Sequence, residues 1–333
     1  MNLNNLNEIL ESEPSYRKKQ AEKLIYQELI EDWDEAKTLP LSLRAKLNKE
    51  CPLSIKNKIV VSDNKKTVKA LITLSDNLKI ESVLMRHDNG KRNTVCVSSQ
   101  VGCPLDCKFC ATGKMGFKRN LEYFEIVDQA ILFNRYLKKE KEKITNLVFM
   151  GMGEPFLNYD NVFKAIRILN SQDCFGLGAR RISISTIGIT DKIKKMAKEK
   201  LQINLAISLH VANDASRSKI IPINKKYPIE KIFEATDYYL NQTQRKVMIE
   251  YIMIDGLNDS DQNANNLADL ITRKHLYFVN LISYNPTGLF KPSSRERIKK
   301  FKEILGKNSI NTTERYRLGK GIKAACGQLA SDS

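Results

Sequence analysis

Cys103, Cys107 and Cys110 stand within eight residues, spaced C-x₃-C-x₂-C. Thiolate is the metal-binding form of cysteine, and such a short run is more apt to hold metal than to form disulfides. Iron–sulfur clusters usually take four cysteines. Three would leave one iron open to an outside ligand, and an open metal position is where chemistry happens. The alternative is a zinc site, which would need a fourth ligand from afar in a chain with only three histidines. Cys96 and Cys326 lie outside this run; each, taken alone, reads as a small buried residue. Cys51 and Cys174 fit no chemical pattern and are read as structural.

A second stretch with chemical content is Gly-Met-Gly-Glu-Pro (151–155). Glycines such as Gly153 let the backbone approach a ligand closely. Glu154 offers an acceptor for an ammonium group. By itself the stretch reads equally well as an ordinary strand-to-helix turn.

The chain has 333 residues, 42% of them hydrophobic, and a net charge of +17. The positive excess points to a polyanion, most simply nucleic acid, with a merely soluble surface as the alternative. Residues 291–323 hold 11 Lys/Arg against 3 Asp/Glu, just before Cys326. No apolar stretch approaches the roughly 18 residues that span a membrane. The N-terminus lacks the apolar core of a secretory signal. A cytoplasmic protein is expected.

These residues need a frame. Residues 1–66 read as a small helical accessory domain: Ala21, Leu24, Ile25 and Leu29 form a helical stripe after Pro14-Ser15, and a second helix covers 41–49. Residues 67–333 read as the main domain. Strands are expected at 68–74, 80–85 and 94–98, with turns at Asp76-Asn77 and Asn89-Gly90. Strand and helix patterns then alternate through 305, making six β–α units with the strand at Thr94. Such alternation implies a parallel sheet with helices outside. A partial (βα)6 barrel is the expected α/β fold, and a flat doubly wound sheet is the alternative. Ligand sites should gather at the carboxyl ends of the strands, where the cysteine loop and Gly153-Glu154 both fall.

The cysteine run, with Phe109 before its last cysteine, strongly resembles that of radical S-adenosylmethionine (SAM) enzymes. Residues 151–155 resemble the "GGE" element of that group. A narrower resemblance rests on residues 96–103, 107–113, 149–155, 182–188, Ser-Leu-His (208–210), Tyr-Asn-Pro (284–286) and Ala-Ala-Cys-Gly-Gln-Leu (324–329). In this order they resemble the RlmN/Cfr family of RNA (adenine) methyltransferases. The Glu154-Pro155 pair is closer to RlmN; Ser-Thr-Ile-Gly (185–188) and the short N-terminal region lean toward Cfr. Gly321-Ile322 departs from the Asp-Ile usual in both.

The resemblance implies a radical SAM barrel holding one 4Fe–4S cluster on Cys103, Cys107 and Cys110. It implies two SAM molecules per turnover, bound by Gly153, Glu154, Ser185, Ser208, Leu209, His210 and Asn285. Cys326 would take a methyl group from one SAM, and a radical from the second would activate that S-methyl group. The carbon radical would add to adenine, Glu81 would accept the ring proton, and Cys96 would release product through a transient disulfide with Cys326. The implied reaction is methylation at C2 of an adenosine in 23S rRNA, at the peptidyl-transferase centre, and of a tRNA adenosine beside the anticodon. The Cfr alternative is C8 of the same rRNA adenosine, which confers antibiotic resistance. A flavodoxin- or ferredoxin-like reductant and a monomeric state are expected. A rival of another class is a metal-stapled RNA-binding protein without catalysis, which explains charge and cysteines but not Cys326 or the residues recurring at strand ends.

Overall fold

The computed structural model describes residues 3–87, 91–315 and 319–330. The expected turn at Asn89-Gly90 lies outside them.

Among the described residues ten strands form one sheet. Three open it as an antiparallel meander: β1 (Asn57–Val61), β2 (Thr67–Thr73) and β3 (Lys79–His87). β4 (Arg92–Val97) pairs antiparallel with β3 on one side. On its other side the parallel part begins. Two short strands, β5 (Gln100–Gly102) and β6 (Phe117–Asn120), form a separate antiparallel pair around the cysteine run. The main sheet continues through β7 (Asn146–Phe149), β8 (Ile182–Thr186), β9 (Asn204–Ser208), β10 (Val247–Met253), β11 (Tyr277–Ser283) and β12 (Thr312–Glu314).

Its spatial order is β1-β2-β3-β4-β7-β8-β9-β10-β11-β12. Every parallel strand lies beside its sequence neighbour, so there is no point where the order reverses. A doubly wound sheet requires such a reversal. The sequential order is that of a barrel wall, left open because β4 pairs with the meander rather than closing the ring. The six expected β–α units are present, and β12 adds a short seventh parallel strand.

The helices form because their apolar residues recur at helical spacing. The longest, Tyr123–Lys138, opens with a capping box between Glu122 and Glu125 and buries Ile126, Ala130, Phe133 and Leu137. Burying each of Ile126, Phe133 and Leu137 is worth about 1.5–3 kcal/mol. Its Arg135 donates to the carbonyls of Leu53 and Ile30, and Lys138 to that of Glu28. The N-terminal helices Leu3–Glu11, Ser15–Lys23 and Leu41–Glu50 therefore rest against the main fold through one shared core. Trp33 closes that core, its indole donating to Cys51 O at 2.8 Å. Cys51 and Cys174 are both buried.

Three departures from the sequence reading are local. β1 falls inside the segment expected to be helical; its residues are exposed on both faces, so it carries no hydrophobic alternation. β5 and β6 are too short to show a period. β12 is three polar residues held by pairing with β11.

Candidate active site

A cleft opens at the carboxyl ends of the parallel strands. Cys103, Cys107 and Cys110 line it, facing Gly153, Glu154, Ser185, Ser208 and His210. A second cavity adjoins it, lined by Cys96, Asn285 and Cys326. Cys326, Arg315, Met150, Ile282 and Leu329 line both.

The cysteine loop is held by backbone. Gly102 sits at φ +74°, and a Cβ there would stand 1.8 Å from Gly116 O, so no other residue fits. Cys103 N donates to Gly116 O at 2.9 Å across the β5/β6 pair. Lys108 N reaches Ile220 O, and Cys110 N closes a turn on Cys107 O. Burial pushes the Cys103 thiol up to about 12 and Cys107 well up, with the neighbouring thiols adding to both shifts. Thiols raised as Cys103 and Cys107 are become thiolates only beside strong positive charge. An iron–sulfur cluster supplies it. Among the described residues no three His, Cys, Asp or Glu side chains converge on one metal ion. Thiols spread around a cavity suit the corners of a cube better than a zinc ion, so the residues fit the cluster.

The loop after β7 packs against the loop after β4. Gly151 N donates to Val97 O, Met152 N to Ser98 Oγ, and Ser99 N to Met152 O. A Cβ on Gly151 would press on Val97 O at 2.7 Å, and one on Gly153 (φ +95°) on Gln100 Cβ at 2.5 Å. Glu154 is buried; its two carboxylate oxygens accept from Phe156 N at 3.0 Å and Ile187 N at 2.9 Å. Burial raises its pKa to about 7, against those hydrogen bonds. Beyond accepting charge, Glu154 ties the β7 loop to the β8 loop.

Ser185, next to last in β8, and Ser208, last in β9, have their hydroxyls 2.9 Å apart. Leu209 is fully buried, and its backbone N donates to Glu250 O. His210 adopts φ +63°. Its Nδ1 accepts from Ile252 N at 3.2 Å, which assigns the proton to Nε2. Burial lowers its pKa to about 3, so the ring is neutral. It meets Phe109 edge-on, centroids 4.9 Å apart. Asn285 lines the Cys96 side and donates to Cys326 O at 3.2 Å.

Cys96 lies in β4 and Cys326 on the C-terminal segment. That segment is tied to the cysteine loop: Ala111 N donates to Gly327 O at 2.8 Å and Thr112 Oγ1 to Leu329 O at 2.7 Å. Burial, then the nearby Cys326, pushes the Cys96 thiol up to about 12. Glu81, on β3, lies behind this wall. Its carboxylate pairs with Lys69 Nζ at 2.7 Å and accepts from Ala330 N at 2.9 Å, next to the wall residue Leu329.

Sequence reasoning missed three residues. Arg217 is fully buried and donates to the carbonyls of Ile187, Ser208 and Leu209 and to Asn224 Oδ1, at 2.6–3.3 Å. It locks the loop after β8 to the loop after β9, which carries His210. Glu250 sits mid-strand in β10 and lines the cleft. A lone carboxylate within an apolar strand was a legible signal. Arg315 lines both cavities but lies in a long basic run that hid it.

Residues 97–268 match the radical SAM superfamily. The chain is 46% identical, over 98% of its length and 94% of the relative's, to a probable dual-specificity RNA methyltransferase RlmN of Dictyoglomus turgidum. It is 47% identical, over 82% of its length and 79% of the relative's, to a ribosomal RNA large subunit methyltransferase N of Nitrosopumilus maritimus. The crystal structure of a radical SAM methyltransferase from Sphaerobacter thermophilus superposes with a TM-score of 0.95 at 43% identity, covering 100% of this chain and 98% of that one. The superfamily implies a 4Fe–4S cluster and SAM, the cofactors that the cleft fits. Among the described residues no helix is long and apolar enough to cross a membrane. The chain is a radical SAM enzyme of the RlmN family of RNA methyltransferases.

Proposed function

We propose that the protein methylates C2 of an adenosine in 23S rRNA, and of a tRNA adenosine beside the anticodon, through an S-methylated Cys326. The observation that carries this is the lining of one cavity by Cys96 and Cys326, directly beside the cleft ringed by Cys103, Cys107 and Cys110. A metal-stapled RNA-binding protein has no use for two further thiols at that place.

When bound, the cluster and SAM supply the electron and the radical that activate the methyl group. The chain supplies the rest. Gly153, Glu154, Ser185, Ser208, Leu209, His210 and Asn285 form the SAM cradle at the strand ends. Cys326 accepts the methyl group and carries it to adenine, whose C2 is electrophilic and does not attack SAM itself. Glu81 accepts the ring proton. Cys96 attacks the Cys326 sulfur to release product, leaving a disulfide that a flavodoxin- or ferredoxin-like donor reduces. Such redox cycling suits a cytoplasmic protein. The basic segment 291–323 draws in RNA phosphates.

Mass spectrometry of rRNA and tRNA from cells with and without the protein tests this. C2-methyladenosine that depends on the protein supports it. C8-methyladenosine would assign the Cfr-type reaction instead.

A further inference from the structure

We propose that Lys69 is a positioning residue: through Glu81 it seats the C-terminal segment that carries Cys326. The seating is a property of the fold; its effect on turnover rests on the methyl-cysteine route above.

Lys69 lies in β2 and Glu81 in β3, and only 5% and 0% of each is exposed. Lys69 stands opposite Val83 in the sheet, so Glu81, two residues along on the same face, is its diagonal neighbour. Lys69 Nζ meets Glu81 Oε1 at 2.7 Å. The other carboxylate oxygen, Oε2, accepts from Ala330 N at 2.9 Å. The carboxylate thus bridges the sheet and the C-terminal segment.

The same peptide is gripped again from the cysteine loop. Leu329 O, in one peptide unit with Ala330 N, accepts from Thr112 Oγ1 at 2.7 Å. One peptide group is therefore stapled between β3 and the cluster loop. Its residue Leu329 lines both cavities, as does Cys326. Val83 is the register partner of Lys69 on one side and of Cys96 on the other, and lines the second cavity. The segment starts on this face as well: a Cβ on Gly319 would stand 3.1 Å from Thr67 Cγ2, in β2.

A buried ion pair adds little stability. Desolvating two charges offsets most of their attraction, and apolar side chains of similar volume would do as well. What this pair adds is direction. The carboxylate of a lone Glu81 is free to turn about its side-chain bonds. Lys69 at one oxygen fixes its plane, so that the other faces Ala330. Ala330 is four residues beyond Cys326. A misplacement of about 1 Å can cost about 100-fold in a reaction that depends on position.

The test uses the full chain, reconstituted anaerobically, with Lys69→Gln, Lys69→Arg and the double variant Lys69→Met/Glu81→Gln, which removes both buried charges together. Amide hydrogen exchange, read by peptide mass, compares 319–330 with 80–84 of β3. Cluster absorbance reports the cysteine loop, and RNA methylation gives kcat and the KM for SAM. In Lys69→Gln, exchange across 319–330 should rise about tenfold or more while 80–84 stays protected. Its kcat should fall about 10–100-fold, with cluster absorbance kept and the KM for SAM within about threefold. Lys69→Arg, which keeps the cation, should restore both slow exchange and kcat. If Lys69→Gln does not fold, the double variant should show the same faster exchange across 319–330. Unchanged exchange there in a folded variant, equal loss of protection at 80–84, or no rescue by arginine would overturn the assignment. If exchange responds as expected but intact mass finds no methyl on Cys326 of the unaltered protein, the methyl-cysteine route fails and the seating stands.

Discussion

The two thiol-bearing walls of the site are built in opposite ways. The cluster wall takes three cysteines from eight consecutive residues and is braced within itself by the β5/β6 pair and Gly102. The other wall joins Cys96 of β4 to Cys326 of the C-terminal segment, more than 200 residues apart. It borrows its bracing: Ala111 and Thr112 of the cluster loop hold Gly327 and Leu329, and Asn285 holds Cys326. The dependence therefore runs one way. Disturbing the cluster loop should loosen the Cys96–Cys326 wall, whereas removing a thiol from that wall should leave the cluster loop intact.

The most damaging test is Cys107→Ala. It should remove cluster absorbance, reductive SAM cleavage and RNA methylation together, as read by optical spectra, 5′-deoxyadenosine release and RNA mass. Cys326→Ala should separate these signals: methylation falls to background while the cluster spectrum persists. Loss of the cluster in that variant would break the one-way dependence. Cys96→Ala sharpens the distinction inside the second wall, because methyl delivery proceeds but release stalls. A covalent protein–RNA adduct should accumulate on denaturing gels; steady turnover without adduct would remove Cys96 from the release step.

Two smaller effects concern the scaffold shared by both walls. Arg217→Met removes the Arg217 donors from the carbonyls of Ile187 and Ser208 and from Asn224 Oδ1, while Leu209 O keeps Val211 N at 2.8 Å. Each buried acceptor left unpaired costs about 1–3 kcal/mol, so stability should fall by about 3–6 kcal/mol after partial relaxation, measured by urea denaturation under anaerobic conditions. Glu154 gives the mildest and most specific signal. Its carboxyl is raised to about 7 by burial, so its neutral form is favoured in the folded state. The stability gained from that neutral form is full below the unfolded value of about 4.3 and is lost as pH rises through 7. SAM binding runs with the opposite sign, because its ammonium prefers the ionised carboxylate. SAM affinity should therefore weaken as pH falls below about 7, approaching tenfold per unit, and Glu154→Gln should flatten that dependence.

The barrel was legible because its helices and strands carry their periods in apolar residues, as in Tyr123–Lys138 and Ile182–Thr186. Pieces without such a period were not. β1 is exposed on both faces, and β12 exists only through its pairing with β11. Within the site, Cys103, Cys107, Cys110 and Gly153-Glu154 announced themselves because their chemistry depends on short spacing. Arg217 and Arg315 did not: in sequence they are two of 55 basic residues.

The amino-acid sequence alone determined the kind of chemistry, because a thiol triplet on one short loop has the same meaning wherever the chain goes. It also determined a parallel sheet, through the alternation of strand and helix, while the sequential order of its strands came from the structure. Only the tertiary structure decided what surrounds Cys326. Its neighbours Cys96, Glu250 and Arg315 come from β4, β10 and the residue after β12, and burial and charge at a point depend on distance in space rather than along the chain.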